Sequence, residues 1–317
     1  MSELHHNPIP HKQIHYAYQF LAVIGLLILT LIVGTLSGMV IIKIIYGSKT
    51  LWNVLEAKLT APNVSGSLWI LQFFGTTLPI LVTPIIFSYF IAREPDEYLK
   101  TNFHFPWLLI AIVFVAMMLS NPLIEFLGNL NEKMVLPKFL KGVEDWMRQS
   151  ENETKKLSDT MMEMRSFSAM IFNLLFIGLL TAIVEEVLFR GCLQTIFVRW
   201  TNSKHAAVWI VAILFSAFHM EFFGFLPRMF LGVLFGYFTV WSGSVWPSIW
   251  AHFVNNGTIV VITYLAGQKI IDINVDDQHV FSNAIYVASL IITMALLYFY
   301  HYIAVKRQIA DHGEELG

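Results

Sequence analysis

The chain has 317 residues, 56% of them hydrophobic and only 13% charged, with a mean hydropathy of +0.62. Soluble domains carry roughly a quarter charged residues, so this composition excludes an ordinary water-soluble globule and points to the bilayer. A net charge of −2 without a basic tract leaves no footprint for nucleic acid, and Cys192 as sole cysteine excludes an intrachain disulfide and any cysteine-based zinc cluster.

In chain order, a polar N-terminal stretch precedes an apolar run from Phe20 to Ile42. That run is too long for a signal-peptide core and lacks a small-residue cleavage site, so it reads as a retained span. Further spans are predicted at 68–91, 105–127, 167–198, 245–266 and 280–304, the first widening to 18–45. Between Ala206 and Trp241 there is apolar sequence for two more, interrupted by His219, Glu221, Pro227 and Arg228; both members of this pair are expected to be short or broken. The predicted fold is all-alpha: a polytopic integral membrane protein of about eight transmembrane helices around a polar intramembrane cavity. Residues 1–317 form a single membrane domain without repeats, and the tail DHGEELG reads as a solvated end.

The stretch 128–166, with its VLPKFLKGVEDWMRQ pattern, is expected to be an amphipathic extramembrane connection lying along a surface. Lysine and arginine counts favour cytoplasmic termini, through Lys12, Arg93, Lys100, Arg199, Lys204, Lys306 and Arg307, although the seven basic residues of the connection run against the rule. The expected location is the inner (cytoplasmic) membrane, multi-pass. Gly34/Gly38 and Gly232/Gly236 carry the spacing of close helix contact.

Three charges interrupt the fourth predicted span, in IVEEVLFRG: Glu185, Glu186 and Arg190. Insertion scales put a central charge at about 2.5–3.5 kcal/mol, so such residues mark a pair, a cavity or a proton path. Glu186 and Arg190, four apart, share a helical stripe, while Glu185 projects roughly 100° away. Counting residues at about 1.5 Å each from the helix ends sets Glu185, His219, His252 and Asn256 at similar depth, in the half of the bilayer nearer the termini. Phe215, four before His219, is expected to wall the cavity. Singly, these residues read equally well as a structural ion pair, a helix-end histidine and an interhelical hydrogen-bond pair; their convergence argues for a functional cavity. A carboxylate and an imidazole can move a proton from water to a leaving amine, and a second imidazole with an amide can stabilise a tetrahedral oxyanion, a set suited to peptide hydrolysis. Ser216 and Cys192 lie on other faces by helical phase and are not expected to act as nucleophiles.

EEVLFR at 185–190, FSAFH at 215–219 and HFVNN at 252–256 resemble the three motifs of the CAAX protease and bacteriocin-processing (CPBP, or Abi) family of intramembrane proteases, which includes the type II CAAX prenyl endopeptidases. The resemblance spans about 167–265, the expected catalytic core. It implies that Glu185 and His219 activate water, that His252 and Asn256 hold the oxyanion, and that Glu186 and Arg190 support the helix and cavity. No cofactor is expected; a zinc-dependent version, with Glu185, His219 and His252 as ligands, is the minor alternative, and the chain lacks HExxH. The expected partners are the lipid bilayer and a membrane-associated peptide or protein substrate. A non-enzymatic immunity or peptide-binding accessory protein is the competing function, and a proton-coupled transporter a third. The aromatics Phe218, Phe222, Phe223, Trp241, Trp246 and Trp250 read either as a surface for an apolar tail or as ordinary interfacial anchors.

Overall fold

The structure, a computed structural model, describes residues 14–272 and 281–314, with side chains through Lys306. The polar N-terminal stretch with Lys12, the last three residues and the side chains after Lys306 lie outside the described residues, while the backbone of the expected solvated tail continues the last helix to Glu314. Among those described there is no strand.

Among the described residues seven helices are long and apolar enough to cross a membrane. They are α1 (Tyr16–Leu55), α2 (Val64–Ala92), α3 (Leu108–Glu132), α5 (Phe167–Thr201), α7 (Phe225–Ser242, reached through a 3₁₀ turn at Phe222–Gly224), α8 (Trp246–Gly267) and α9 (Asn283–Glu314). The amphipathic helix α4 (Lys141–Met161) follows α3, and α6 (Lys204–Phe218) is a shorter apolar helix. Seven helices of the expected eight meet that length, α6 being the shorter eighth, and one member of the interrupted pair differs from expectation. Helix α7 is unbroken, because Pro227 stands in its first turn, where a missing N–H costs no ladder bond. Only α6 is short: 15 residues span roughly 22 Å.

Local chemistry sets these boundaries. Helix α5 starts at Ser166, whose hydroxyl accepts from the Ala169 N–H at 3.2 Å, and ends at Asn202 in the left-handed region with φ 52°. The next residue, Ser203, caps α6 by accepting from the Ala206 N–H. Gly243, with φ 75°, stops α7. The α7–α8 turn is then tied to the segment after a one-turn helix Pro95–Leu99: the Val245 N–H donates to the Lys100 carbonyl at 3.0 Å and the Ser244 hydroxyl to that of Asn102 at 2.5 Å.

The expected small-residue contacts are present. A Cβ on Gly34 would lie 2.0 Å from the Phe74 carbonyl oxygen, and one on Gly232 3.0 Å from Ala212, so backbones meet where a side chain would separate them. Helix α4 begins later than the expected connection, since α3 runs on to Glu132. It lies across the α6–α7 turn: Trp146 packs on Phe222, Arg148 stands 4.1 Å over the Phe223 ring, and the Phe223 N–H donates to Glu151.

Candidate active site

Helix α5 is not uniformly α-helical. A six-residue α segment, Thr181–Glu186, is flanked by π-helical turns at Leu174–Leu180 and Val187–Leu193. Such widened turns often mark functional positions, and these bracket the two glutamates. They also alter the carbonyl pattern: Thr181 Oγ1 donates to the Phe176 carbonyl, and Asn256 Nδ2 to that of Ile177 at 3.3 Å.

The three charges find different solutions. Glu186 and Arg190 are both 0% exposed, and their ion pair measures 3.0 Å. The same carboxylate oxygen, Oε1, accepts from His252 Nδ1 at 2.9 Å. Arg190 also donates to the Gly232 carbonyl at 3.3 Å, and its guanidinium lies 4.3 Å from the Phe215 ring centroid and 5.3 Å from that of Phe235. Buried charge is thus matched by an opposite charge, a carbonyl and two aromatic faces.

Glu185, 8% exposed, takes no part in that pairing. Its Oε2 has no hydrogen-bond partner and stands 3.9 Å from His219 Nε2 and 4.0 Å from His252 Nε2. The protonation of His219 follows from its other nitrogen, which lies 2.8 Å from the Phe215 carbonyl. A carbonyl only accepts, so Nδ1 carries a proton and, in the neutral ring, Nε2 is the bare nitrogen facing Glu185. Two atoms 3.9 Å apart can both reach one water at about 2.8 Å.

Glu185, His219, His252 and Asn256 all line one cavity of about 330 Å³, which Phe215 also walls. Phe215 meets both imidazoles edge-on, at 4.9 Å from His219 and 5.9 Å from His252. A second, larger space of about 690 Å³ runs between α1, α2, α4 and α5, and the two share Thr181, Glu185 and His219 as a common wall. The depth inferred by residue counting needs correction. Because α6 is short, His219 directly follows its last residue, and the larger space is bounded by Thr154, Ser158 and Glu221, at the end of the bundle remote from Tyr16.

Several contributors carry no sequence signal. Phe235 stacks on His252 at 5.1 Å, Thr181 stands in the common wall, and Asn255 donates to Asn256 Oδ1 at 3.1 Å. Among the aromatics weighed from sequence, Phe215 and Phe218 line the cavities, while Trp241 packs on Tyr237 and Trp246 on Phe103. Ser216 donates to the Phe225 carbonyl and Cys192 is buried in the core. Among the described residues no group of three or more His, Cys, Asp or Glu is placed to hold a metal ion. Ligand atoms of a tetrahedral zinc lie roughly 3.3 Å apart, closer than either Glu185–imidazole gap.

Removing one partner of the buried pair leaves an uncompensated charge, so Arg190→Met should destabilise the purified protein by about 3–5 kcal/mol. The double variant Glu186→Gln/Arg190→Met should recover most of that loss. Thermal unfolding in detergent measures both; a double variant no better than the single one contradicts the pairing.

With this geometry in place, comparison with known proteins adds three findings. Residues 167–258 match the family model described as type II CAAX prenyl endopeptidase Rce1-like. The uncharacterized protein YpbD of Bacillus subtilis (strain 168) is 30% identical over 86 residues, covering 26% of this chain and 41% of the relative. The chain therefore spans about two fifths of the length of the curated relative it matches. No solved structure matches. Glu185, His219, His252 and Asn256 thus all lie within the 167–258 stretch that is similar to type II CAAX prenyl endopeptidase Rce1-like proteins, in a chain with seven helices long and apolar enough to cross a membrane among the described residues.

Proposed function

We propose that the protein is a glutamate-dependent intramembrane endopeptidase that hydrolyses a peptide bond of a membrane-associated peptide or protein. The observation that carries this reading is Glu185 Oε2, a nearly buried carboxylate oxygen without a hydrogen-bond partner, facing two imidazole nitrogens at 3.9 and 4.0 Å. A carboxylate kept only for packing would hold an ion-pair partner at hydrogen-bond distance, as Glu186 does through Oε1.

In the proposed reaction, a water held by Glu185 and His219 Nε2 attacks the scissile carbonyl carbon and gives up a proton to that pair. The tetrahedral intermediate places its oxyanion toward His252 and Asn256. Since Glu186 accepts from His252 Nδ1, the Nε2 of that ring donates to the oxyanion when the ring carries both protons. Asn256 has one amide N–H committed to the Ile177 carbonyl and a second free for the same oxyanion. Collapse breaks the C–N bond, the captured proton passes to the leaving nitrogen, and a carboxylate and an amine result. The larger, mostly apolar space beyond Glu185 suits the membrane-embedded part of such a substrate.

No step here uses a metal, and we propose a metal-independent enzyme on the separations given above. Both termini are proposed to be cytoplasmic in the inner membrane. The support is an even total when the shorter α6 is added to the seven helices long enough to cross, together with the basic residues Arg93, Lys100, Arg199, Lys204 and Lys306 at the end of the bundle that carries Tyr16.

The decisive comparison is of membrane peptides and protein termini in cells expressing wild type or variants at matched abundance. Glu185→Ala and His219→Ala should each lower cleavage by about 10²–10⁴-fold and Asn256→Ala by about 10²–10³-fold, with one uncleaved species accumulating. Wild-type cleavage in both Glu185→Ala and His219→Ala would end the enzymatic reading in favour of a peptide-binding accessory protein. Activity of the purified protein should survive thorough chelation; loss restored by zinc would establish the metal-dependent alternative. For topology, a cysteine replacing exposed Asn152 on α4 should react with an impermeant thiol reagent from outside intact cells, since the native Cys192 is buried.

A further inference from the structure

A second polar pocket lies at the opposite end of the bundle from α4. It has a volume of about 230 Å³ and is formed between the Pro95–Leu99 segment, the end of α5, the start of α6 and the end of α7. Its rim carries Lys100, Arg199 and Lys204 against one carboxylate, Glu97. Arg199 is compensated, by Glu94 at 2.7 Å and Glu97 at 3.4 Å. Lys100 and Lys204 have no ion-pair partner among the described residues. Burial pushes the Lys100 ammonium below the usual lysine range, against the opposing pull of Glu97.

The inner end is closed by Arg190 and Gln194, 0% and 2% exposed. Each keeps one polar atom without a hydrogen-bond partner: Nε of Arg190, a donor, and Oε1 of Gln194, an acceptor. Most buried polar atoms are satisfied, so two orphans beneath a basic rim describe the complement of a particular ligand. It is an anion that also offers a hydroxyl.

We propose that this pocket binds a phosphate-type anion bearing a hydroxyl group, either free hydrogen phosphate or the headgroup of a lipid such as phosphatidylglycerol. Basic pockets between helix ends at a membrane face are a recognised setting for anionic headgroups. The site is separate from the cavity of Glu185 and does not depend on the chain being a protease. The two have no lining residue in common; Arg190, at the inner end of this pocket, holds Glu186, the neighbour of Glu185.

The test uses the full-length protein, purified in zwitterionic detergent and reconstituted in phosphatidylcholine with or without phosphatidylglycerol. Thermal unfolding is followed by tryptophan fluorescence, and co-purified lipid by native mass spectrometry. Wild type should gain thermal stability with phosphatidylglycerol or with inorganic phosphate, and Lys100→Gln/Lys204→Gln should shift the midpoint of that titration roughly tenfold or more. Lys306→Gln, near the same membrane face, should leave it unchanged. A response to inorganic phosphate in pure phosphatidylcholine assigns a free anion; a response only to phosphatidylglycerol assigns a lipid. Should the double variant fail to fold, Lys204→Gln alone, an exposed side chain at the start of α6, should weaken the response several-fold. No response in wild type, or equal responses in wild type and the lysine variants, overturns the proposal.

Discussion

One carboxylate oxygen, Oε1 of Glu186, organises the centre of this bundle. It is fully buried, pairs with Arg190 on its own helix at 3.0 Å and accepts from His252 on α8 at 2.9 Å. Arg190 in turn reaches the Gly232 carbonyl of α7 and lies against Phe215 of α6. Four helices are therefore held by one set of charge-assisted contacts in a setting where apolar surface alone gives little preference for one helix arrangement over another. The small residues serve the same arrangement: Gly232 brings α7 close enough to α6 for its carbonyl to meet the guanidinium.

Adjacent carboxylates are divided by environment into two roles. Glu186 is held at Oε1 by Arg190 and His252 and leaves only Oε2 without a partner, whereas Glu185 turns its unpartnered Oε2 toward two imidazoles at 3.9 and 4.0 Å. The imidazoles differ in the same way. A backbone carbonyl fixes the Nδ1 proton of His219, and a carboxylate faces the Nδ1 of His252, so one ring is set to accept at Nε2 and the other to donate there once doubly protonated. These assignments come from what each ring touches on its far side, which is how a protein sets the behaviour of chemically identical groups.

What the sequence made legible follows from cost. Glu185, Glu186, Arg190 and His252 stand out because polar groups in apolar helices are expensive and therefore visible. Phe235 supports His252 just as directly, yet a phenylalanine in an apolar helix carries no signal. The π-helical turns of α5 were equally silent, since residue types do not announce an i→i+5 ladder. Depth was misjudged for a related reason: helix counting assumes full-length spans, and α6 stops at Phe218, so His219 lies at its end. The larger cavity draws Thr35, Leu68 and Gln72 from a region without motifs, and only the folded chain joins them to Glu185.

The partition between the two cavities has a consequence for traffic through the molecule. Thr181, Glu185 and His219 border both spaces, so an extended chain threaded from one to the other would cross the septum at that carboxylate. Its two ends would then lie in separate chambers, one flanked by the first two crossings and the other by the last few. A chain divided at that septum would leave its two parts on opposite sides of it.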